Sequence, residues 1–144
     1  MKLATALLRK GVIHIQGYSQ THSGVWIASG RVRSLDQAAD SKQIAIAIRE
    51  AFAASTRGVP HPRQDEWPSV QAPMLEAAGV KNWATLARGA KAVGLELDGS
   101  VVTMTPSANY ARQGGEELPD QTIRSELESD ALGSDLVQAF KTCS

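Results

Sequence analysis

A single cysteine, Cys143, stands in 144 residues. It excludes an intrachain disulfide and any zinc site built on several thiolates, and it favours a reducing compartment. No phosphate-cradling G-x-x-x-x-G-K-[ST] loop or dinucleotide G-x-G-x-x-G run occurs. Gly17-Tyr18-Ser19-Gln20-Thr21 lacks the second glycine of a nucleophile elbow. Formal net charge is +0, and basic residues are not interleaved with aromatics, so direct nucleic-acid binding is not expected. No apolar run approaches the ~18 residues that span a bilayer. Met1 to Leu8 is mildly apolar but is cut by Arg9-Lys10 and followed by no small-residue cleavage pattern. The expected location is the cytoplasm, with no membrane partner.

What remains is an ordinary globular composition. Hydrophobic residues make up 42% and charged residues 21%, which suits one domain over residues 1–144. The charge is unevenly spread. Residues 1–60 carry eight Lys/Arg against three Asp/Glu, and residues 113–144 carry two against seven. That asymmetry points either to an interaction surface at one end or to an acidic segment complementing the chain's own basic half. Arg9, Lys10, Arg31 and Arg33 are candidates for a basic patch on a first hairpin.

Hydrophobic periodicity gives the elements. Val12–Gln16 alternates, Val25–Val32 is β-prone, and the polar stretch Ser19–Gly24 between them reads as a turn, so the pair is expected to form an antiparallel hairpin. The residues before Gly11 are open between a strand and a short helix. Asp40 or Ser41 can cap a helix whose stripe is Ile44, Ile48, Ala51, Phe52 and Ser55, with Gly58 as its stop. Pro60 and Pro62 then make residues 58–66 a stiff extended loop. Pro68 suits a first helical turn. Pro73 implies that the second helix is short and starts near residue 72, with Val70, Met74, Leu75 and Ala78 as its buried stripe and Gly79 as its end. Asp98-Gly99 reads as a type I′ loop, setting Leu97 opposite Ser100, residue 95 opposite 102 and residue 93 opposite 104. Pro106 is expected to end that second strand, and Gln113–Asp120 to be a polar loop. A short strand follows within Gln121–Leu127. Ser129 or Asp130 would cap a last helix bearing Leu132, Leu136 and Phe140. Strands in hairpins with grouped helices make this an α+β chain, a mainly antiparallel sheet packed against two to four helices.

Candidate functional residues are few. His14 alternates away from Ile13 and Ile15 and is expected to be an exposed or half-buried sheet residue. His22 lies in a turn and His61 between two prolines. Histidines and a lysine can perform acid–base ribonuclease chemistry, but no spacing here brings them together. His61 and Asp65 are a two-residue pair, too common to define a metal site. Trp26, Trp67 and Trp83 suit either a core or a binding hot spot. Trp83, beside an apolar helix end, reads as core, and Trp67 is open between the two.

The order of rarer residues carries more. It runs from Gly24-Val25-Trp26-Ile27-Ala28 through Gly58-Val59-Pro60-His61-Pro62 and Asp65-Glu66-Trp67. It continues with Glu76-Ala77-Ala78-Gly79-Val80-Lys81, Trp83 and Gly89-Ala90-Lys91 into the strand pair ending at Pro106. This set resembles the immunity proteins of bacterial contact-dependent growth inhibition (CDI) systems. The resemblance implies a cytoplasmic protein that binds the C-terminal toxin domain of a large surface effector, one to one, and blocks it. Many such toxins are nucleases, often acting on transfer RNA, and the family contributes no catalytic residue, metal or cofactor. A nuclease needs a basic cleft for phosphate, which carboxylates would cover. Glu116, Glu117, Asp120, Glu126, Glu128 and Asp130 are the densest supply and the expected partner-binding residues. Two other readings stand beside this one: a small histidine-dependent hydrolase or ribonuclease, and a protein-binding adaptor unrelated to toxins.

Overall fold

The computed structural model describes residues 1–112 and 114–144. Chain order gives strands β1 (Lys2–Arg9), β2 (Val12–Thr21) and β3 (Trp26–Asp36), then helix α1 (Ser41–Ala53) and strand β4 (Arg57–Val59). Helices α2 (Trp67–Ala78) and α3 (Trp83–Arg88) follow, then β5 (Ala90–Asp98), β6 (Val101–Ala108), β7 (Glu116–Glu117), β8 (Ile123–Glu126) and helix α4 (Leu132–Lys141). The strands form one sheet in the order β3-β2-β1-β5-β6-β7, with β4 beside β2 and β8 beside β6. All pairs are antiparallel except β2–β4, so the expected α+β class and mainly antiparallel sheet hold.

The open question before Gly11 resolves as a strand. Lys10 (φ 50°) and Gly11 (φ 77°) form a two-residue loop with both residues left-handed, the type I′ geometry that matches strand twist. It closes Arg9 onto Val12 and makes β1 the strand between β2 and β5. Alternation then gives the sheet two faces. Ala4, Ala6, Ile13, Ile15, Val93, Leu95, Val102 and Met104 are buried in the core shared with α1 and α4. Leu7 and Ala92 face the other way, into a smaller cluster with Met74 of α2 and Leu86 of α3. The sheet thus lies between two helical layers.

Several boundaries differ from expectation, each for a local reason. β2 runs through Ser19–Thr21, because β4 pairs alongside it. Gln20 N–H donates to the Thr56 carbonyl at 2.8 Å and His22 N–H to the Val59 carbonyl at 3.1 Å. Gly58 therefore lies in a strand and caps no helix. α1 stops at Ala53, and the buried Ser55 hydroxyl turns instead to the Tyr18 carbonyl. The Asp40 carboxylate does cap α1, accepting from Lys42 N–H at 2.8 Å. α2 runs unbroken through Pro73 to a left-handed Gly79 (φ 70°). One proline removes one N–H, and here the rest of the helix and its cap survive the loss.

The β5–β6 register is shifted by two from the expected one. Asp98 pairs with Val101, Leu97 with Val102 and Leu95 with Met104, so the loop is Gly99-Ser100. Gly99 (φ 61°) takes the first central position. That is the type II′ pattern, in which only the glycine is left-handed and Asp98 is spared. A shift of two keeps every side chain on its expected face. Pro106 does not end β6. It pairs with Val93 and its carbonyl accepts from Leu118 N–H at 2.8 Å, in the gap between β8 and β7. A residue's N–H and C=O point the same way in such a strand, so the missing donor faces that gap and breaks no ladder. The Gln113–Asp120 loop contains β7, although Gln113 itself lies outside the described residues. β8 and α4 fall where expected. Ser129 Oγ accepts from Ala131 N–H at 3.0 Å just ahead of α4, and Asp130 caps nothing.

Two glycines fix how tightly the layers meet. A Cβ on Gly17 would lie 2.3 Å from the Ala51 carbonyl oxygen of α1, and one on Gly133 of α4 would lie 2.1 Å from that of Ser41. Both contacts are with backbone, which cannot swing aside. Gly17→Ala is expected to cost about 1–3 kcal/mol by forcing α1 off the sheet. Gly79→Ala, whose Cβ would meet nothing within 4 Å, carries only the left-handed strain. Denaturant midpoints compared with wild type check both: an unchanged Gly17→Ala midpoint would refute the close packing.

Candidate partner-binding surface

The tryptophans meet. α2 lies across β3 and β2 on the second face, and under it sits a cleft of about 220 Å³ lined by Trp26, Trp67 and Trp83 together. Trp26 enters from the start of β3, Trp67 from the first turn of α2 and Trp83 from the first turn of α3. Trp67 is 36% exposed, while Trp26 and Trp83 are half-buried. Trp83 does pack in the smaller apolar cluster, as expected. A second cleft of about 320 Å³ adjoins the first, sharing Gln16, Ala28 and Val70, and is walled by Pro60, His61 and Pro62.

That wall is held in place by short polar contacts. His61 Nδ1 lies 3.0 Å from Ser23 Oγ, which lies 2.9 Å from Thr21 Oγ1. The His61 ring meets Trp67 edge-on at 5.8 Å. Beneath, Gln16 is 1% exposed and its Nε2 donates to the Gly30 carbonyl at 3.0 Å, pinning the irregular stretch of β3. Its Oε1 is buried with no partner among the described residues. Gln16 and Gly30 were not signalled by motif, only by a glycine inside a strand pattern, which marks a bulge.

The six acidic residues are all exposed, but they form a stripe and not a patch. Glu116 and Glu117 make β7, opposite Ala108 and Ser107. Glu126 ends β8 opposite Val101, at the far end of β6. The two ends are about 24 Å apart by strand rise. Asp120 sits in a 3-10 turn at Pro119–Gln121, between β7 and β8 in the chain. Glu128 lies 3.8 Å from Arg49, and the Asp130 carbonyl accepts weakly from Ser41 Oγ at 3.5 Å. The basic residues of β3, Arg31 and Arg33, do not face this stripe. β3 and the β7–β8 row are opposite edges of the sheet, and Arg33 pairs with Glu50 of α1.

Residues 2–143 match the family model described as CDI immunity protein. The chain belongs to the CDI immunity protein family. No curated protein matches. Two of the solved structures that share the fold illustrate it. One is a protein of unknown function from Neisseria meningitidis, at TM-score 0.80 and 15% identity over 99% of this chain and 95% of that one. The other is a toxin and immunity complex, CdiA-CT/CdiI, from Yersinia pseudotuberculosis, at TM-score 0.76 and 15% identity over 99% and 97%. In this immunity-family chain the segments that carried the resemblance converge: the Trp26 strand, the Pro60-His61-Pro62 loop, Trp67 and Trp83 all border the paired clefts.

The histidines of this family member do not gather into one centre. His14 is 4% exposed, more deeply buried than its alternation suggested. Its Nδ1 lies 2.7 Å from Ser34 Oγ. It stands about 25 Å along β2 from the turn that holds His22. Among the described residues no group of three or more His, Cys, Asp or Glu could hold a metal, and Asp65 is engaged by Arg63 at 3.4 Å. Among the described residues no helix is long and apolar enough to cross a membrane.

His14 has a consequence for stability. Burial, and secondarily the Arg9 guanidinium, holds its pKa below the usual 6.5. As pH falls through 6.5 the unfolded chain takes up a proton that the native imidazole refuses, so stability falls with falling pH. His14→Gln should therefore lose less stability than wild type between about pH 7 and pH 5.5. Urea midpoints at the two pH values test this. Equal losses in both proteins would assign the slope to other groups.

Proposed function

We propose that this protein neutralises the C-terminal toxin domain of a CDI effector by binding it one to one, as a single domain in the cytoplasm of the producing cell and without chemistry of its own. The observation that carries this reading is the family match over residues 2–143. The fold shared with the Yersinia toxin–immunity complex supports it. The distribution of the histidines speaks against the hydrolase reading, since His14 is buried within β2 and His61 is occupied with Ser23 and Trp67.

The toxin, in this reading, is a nuclease with a basic phosphate cleft, acting on transfer RNA as many toxins of such systems do. Exposed carboxylates along the β7–β8 edge supply the opposite charge. Glu116, Glu117, Asp120 and Glu126 have no ion-pair partner among the described residues, so they are free to pair with the toxin. Glu128, beside Arg49, and Asp130 extend the stripe. Such complementarity acts mainly on the rate of encounter.

Calorimetry of the purified chain against the toxin domain encoded with it is the deciding experiment. Nanomolar or tighter one-to-one binding is expected; no binding at micromolar concentration would overturn the reading. Replacing Glu116, Glu117 and Glu126 by Gln and Asp120 by Asn together should slow association about tenfold at low salt and flatten its salt dependence. If rate and affinity are unchanged, the stripe is only a solvated edge.

A further inference from the structure

The face of the sheet that carries α1 and α4 has a hollow at the Lys10–Gly11 end. The strand registers set Lys91, Leu8, Ile13 and Leu35 in a row there, across β5, β1, β2 and β3. Val137, Phe140 and Lys141, from the end of α4, meet this row and leave a cleft of about 140 Å³. Leu8, Ile13, Val137 and Phe140 form its apolar lining, and the exposed Lys91 and Lys141 flank it. Gln37 stands at its rim, where its N–H donates to the Gly11 carbonyl at 2.9 Å and ties the end of β3 to the β1–β2 turn. Through Gln37, Val137 and Lys141 the cleft opens into a wider hollow of about 400 Å³, bordered by Ser41, Ser134 and Gln138.

The charge around the cleft is positive and unanswered. Lys91 and Lys141 have no ion-pair partner among the described residues. Asp36 and Asp40, on either side of Gln37 in the chain, are turned to backbone: their carboxylates accept from Ala38 N–H and Lys42 N–H, each at 2.8 Å. The C-terminus of a helix ordinarily repels an anion. Here the last carbonyls of α4 are occupied. That of Ala139 accepts from Thr142 Oγ1 at 2.8 Å and Thr142 N–H at 3.1 Å, and that of Phe140 from Cys143 N–H at 3.2 Å. Two ammonium groups beside an apolar floor select an anion whose body is apolar. The narrow cleft has about the volume that admits one benzene-sized group. A space of that size takes one ring or a short acyl chain, which favours a small molecule over a peptide segment.

We propose that this cleft binds a small apolar carboxylate, an aryl or short acyl acid. Its ring or chain lies against Leu8, Ile13, Val137 and Phe140, and its carboxylate against Lys91 and Lys141. The site is on the opposite face of the sheet from the tryptophans and does not depend on the immunity reading.

Phenylacetate, phenylacetamide and acetate separate the parts of this claim when added to the full chain labelled with 13C in its methyl groups and 15N in its indoles. Phenylacetate is expected to shift the methyl resonances of Leu8, Ile13 and Val137 saturably, with a Kd on the order of a millimolar. The three indole N–H resonances should stay fixed. Phenylacetamide, of the same shape without the charge, should bind more weakly, and acetate should cause no shift. The double variant Lys91→Gln/Lys141→Gln, at two exposed positions, should weaken phenylacetate binding by about tenfold and leave it no better than the amide. The comparison of the three probes on wild type needs no variant to fold. Equal affinity of wild type for phenylacetate and phenylacetamide would reduce the site to an apolar hollow and overturn the proposal. So would the absence of saturable shifts at the three methyl-bearing residues, or shifts centred on the indoles.

Discussion

The contact on which the rest of the structure depends is that of α1 with the backbone of β2. The carbonyl of Ala51 occupies the space above Gly17 where any other residue would carry a Cβ. Neighbouring positions on β1 are Ala4 and Ala6, both buried and both small, so the middle of the sheet presents a shallow channel to the helix. Larger residues stand to either side, Ile13 and Ile15 on β2 and Val93 and Leu95 on β5. α4 then docks beside α1 with Gly133 against the first turn of α1, and Ser41 Oγ accepts from Ser134 N–H at 3.0 Å. Backbone-to-backbone packing of this kind leaves no slack, and it sets one face of the protein as a rigid support.

Because that face takes the two longer-striped helices, the opposite face is left with what α2 and α3 can cover. α3 has six residues, and α2 leaves beneath it a cleft lined by three indole rings. The uncovered strands answer with threonine, glycine and glutamate on that side while keeping apolar residues on the other. The loop that brings two prolines and His61 to the rim is itself short of freedom: β4 anchors it at one end, and Arg63 N–H donating to Glu66 at 2.9 Å fastens the entry to α2 at the other. A recognition surface that is already ordered loses little entropy on binding, which suits a protein whose task is tight association.

How far the sequence foretold this follows from the range of the interactions. α1 and α4 were legible because their stripes of Ile, Leu and Phe repeat at helical spacing and need no partner to be seen. The β5–β6 hairpin was legible in its faces but not in its register, since Asp98-Gly99 and Gly99-Ser100 both offer a glycine and differ by two residues, which alternation cannot sense. β1 was ambiguous because Lys10-Gly11 is a weaker hairpin signal than Asn-Gly. β4 was invisible, as three residues pairing across 37 positions leave no local pattern. Pro73 misled by propensity alone. At the candidate surface, motifs named the tryptophans and the proline loop, but their convergence depends on the α2 crossing and on the β3 bulge at Gly30, which are tertiary facts. The open polar face of β5 and β6 was written in the alternation of Thr103 and Thr105 with Met104, and went unread because the apolar half of that alternation explained the fold.

The uneven charge along the chain becomes, in three dimensions, a separation across the sheet. The first sixty residues, with their excess of Lys and Arg, build the β3–β2–β1 side and α1, and the last thirty, rich in Asp and Glu, build the β7–β8 edge and α4. Only one cross-contact between the blocks is an ion pair among the described residues, Arg49 with Glu128, whose carboxylate side is 82% exposed. The charges of the two blocks therefore do little to hold them together, and the alternative in which the acidic segment serves to neutralise the basic half loses its structural basis. What the separation does create is a molecular dipole about the width of the sheet. Such a dipole turns an approaching charged partner before contact, and its pull fades beyond a Debye length of ~8–10 Å in physiological salt. A neutral protein that must find one partner quickly gains from placing its charges this way, since it presents an oriented field without the net charge that would draw nucleic acid or other cell constituents.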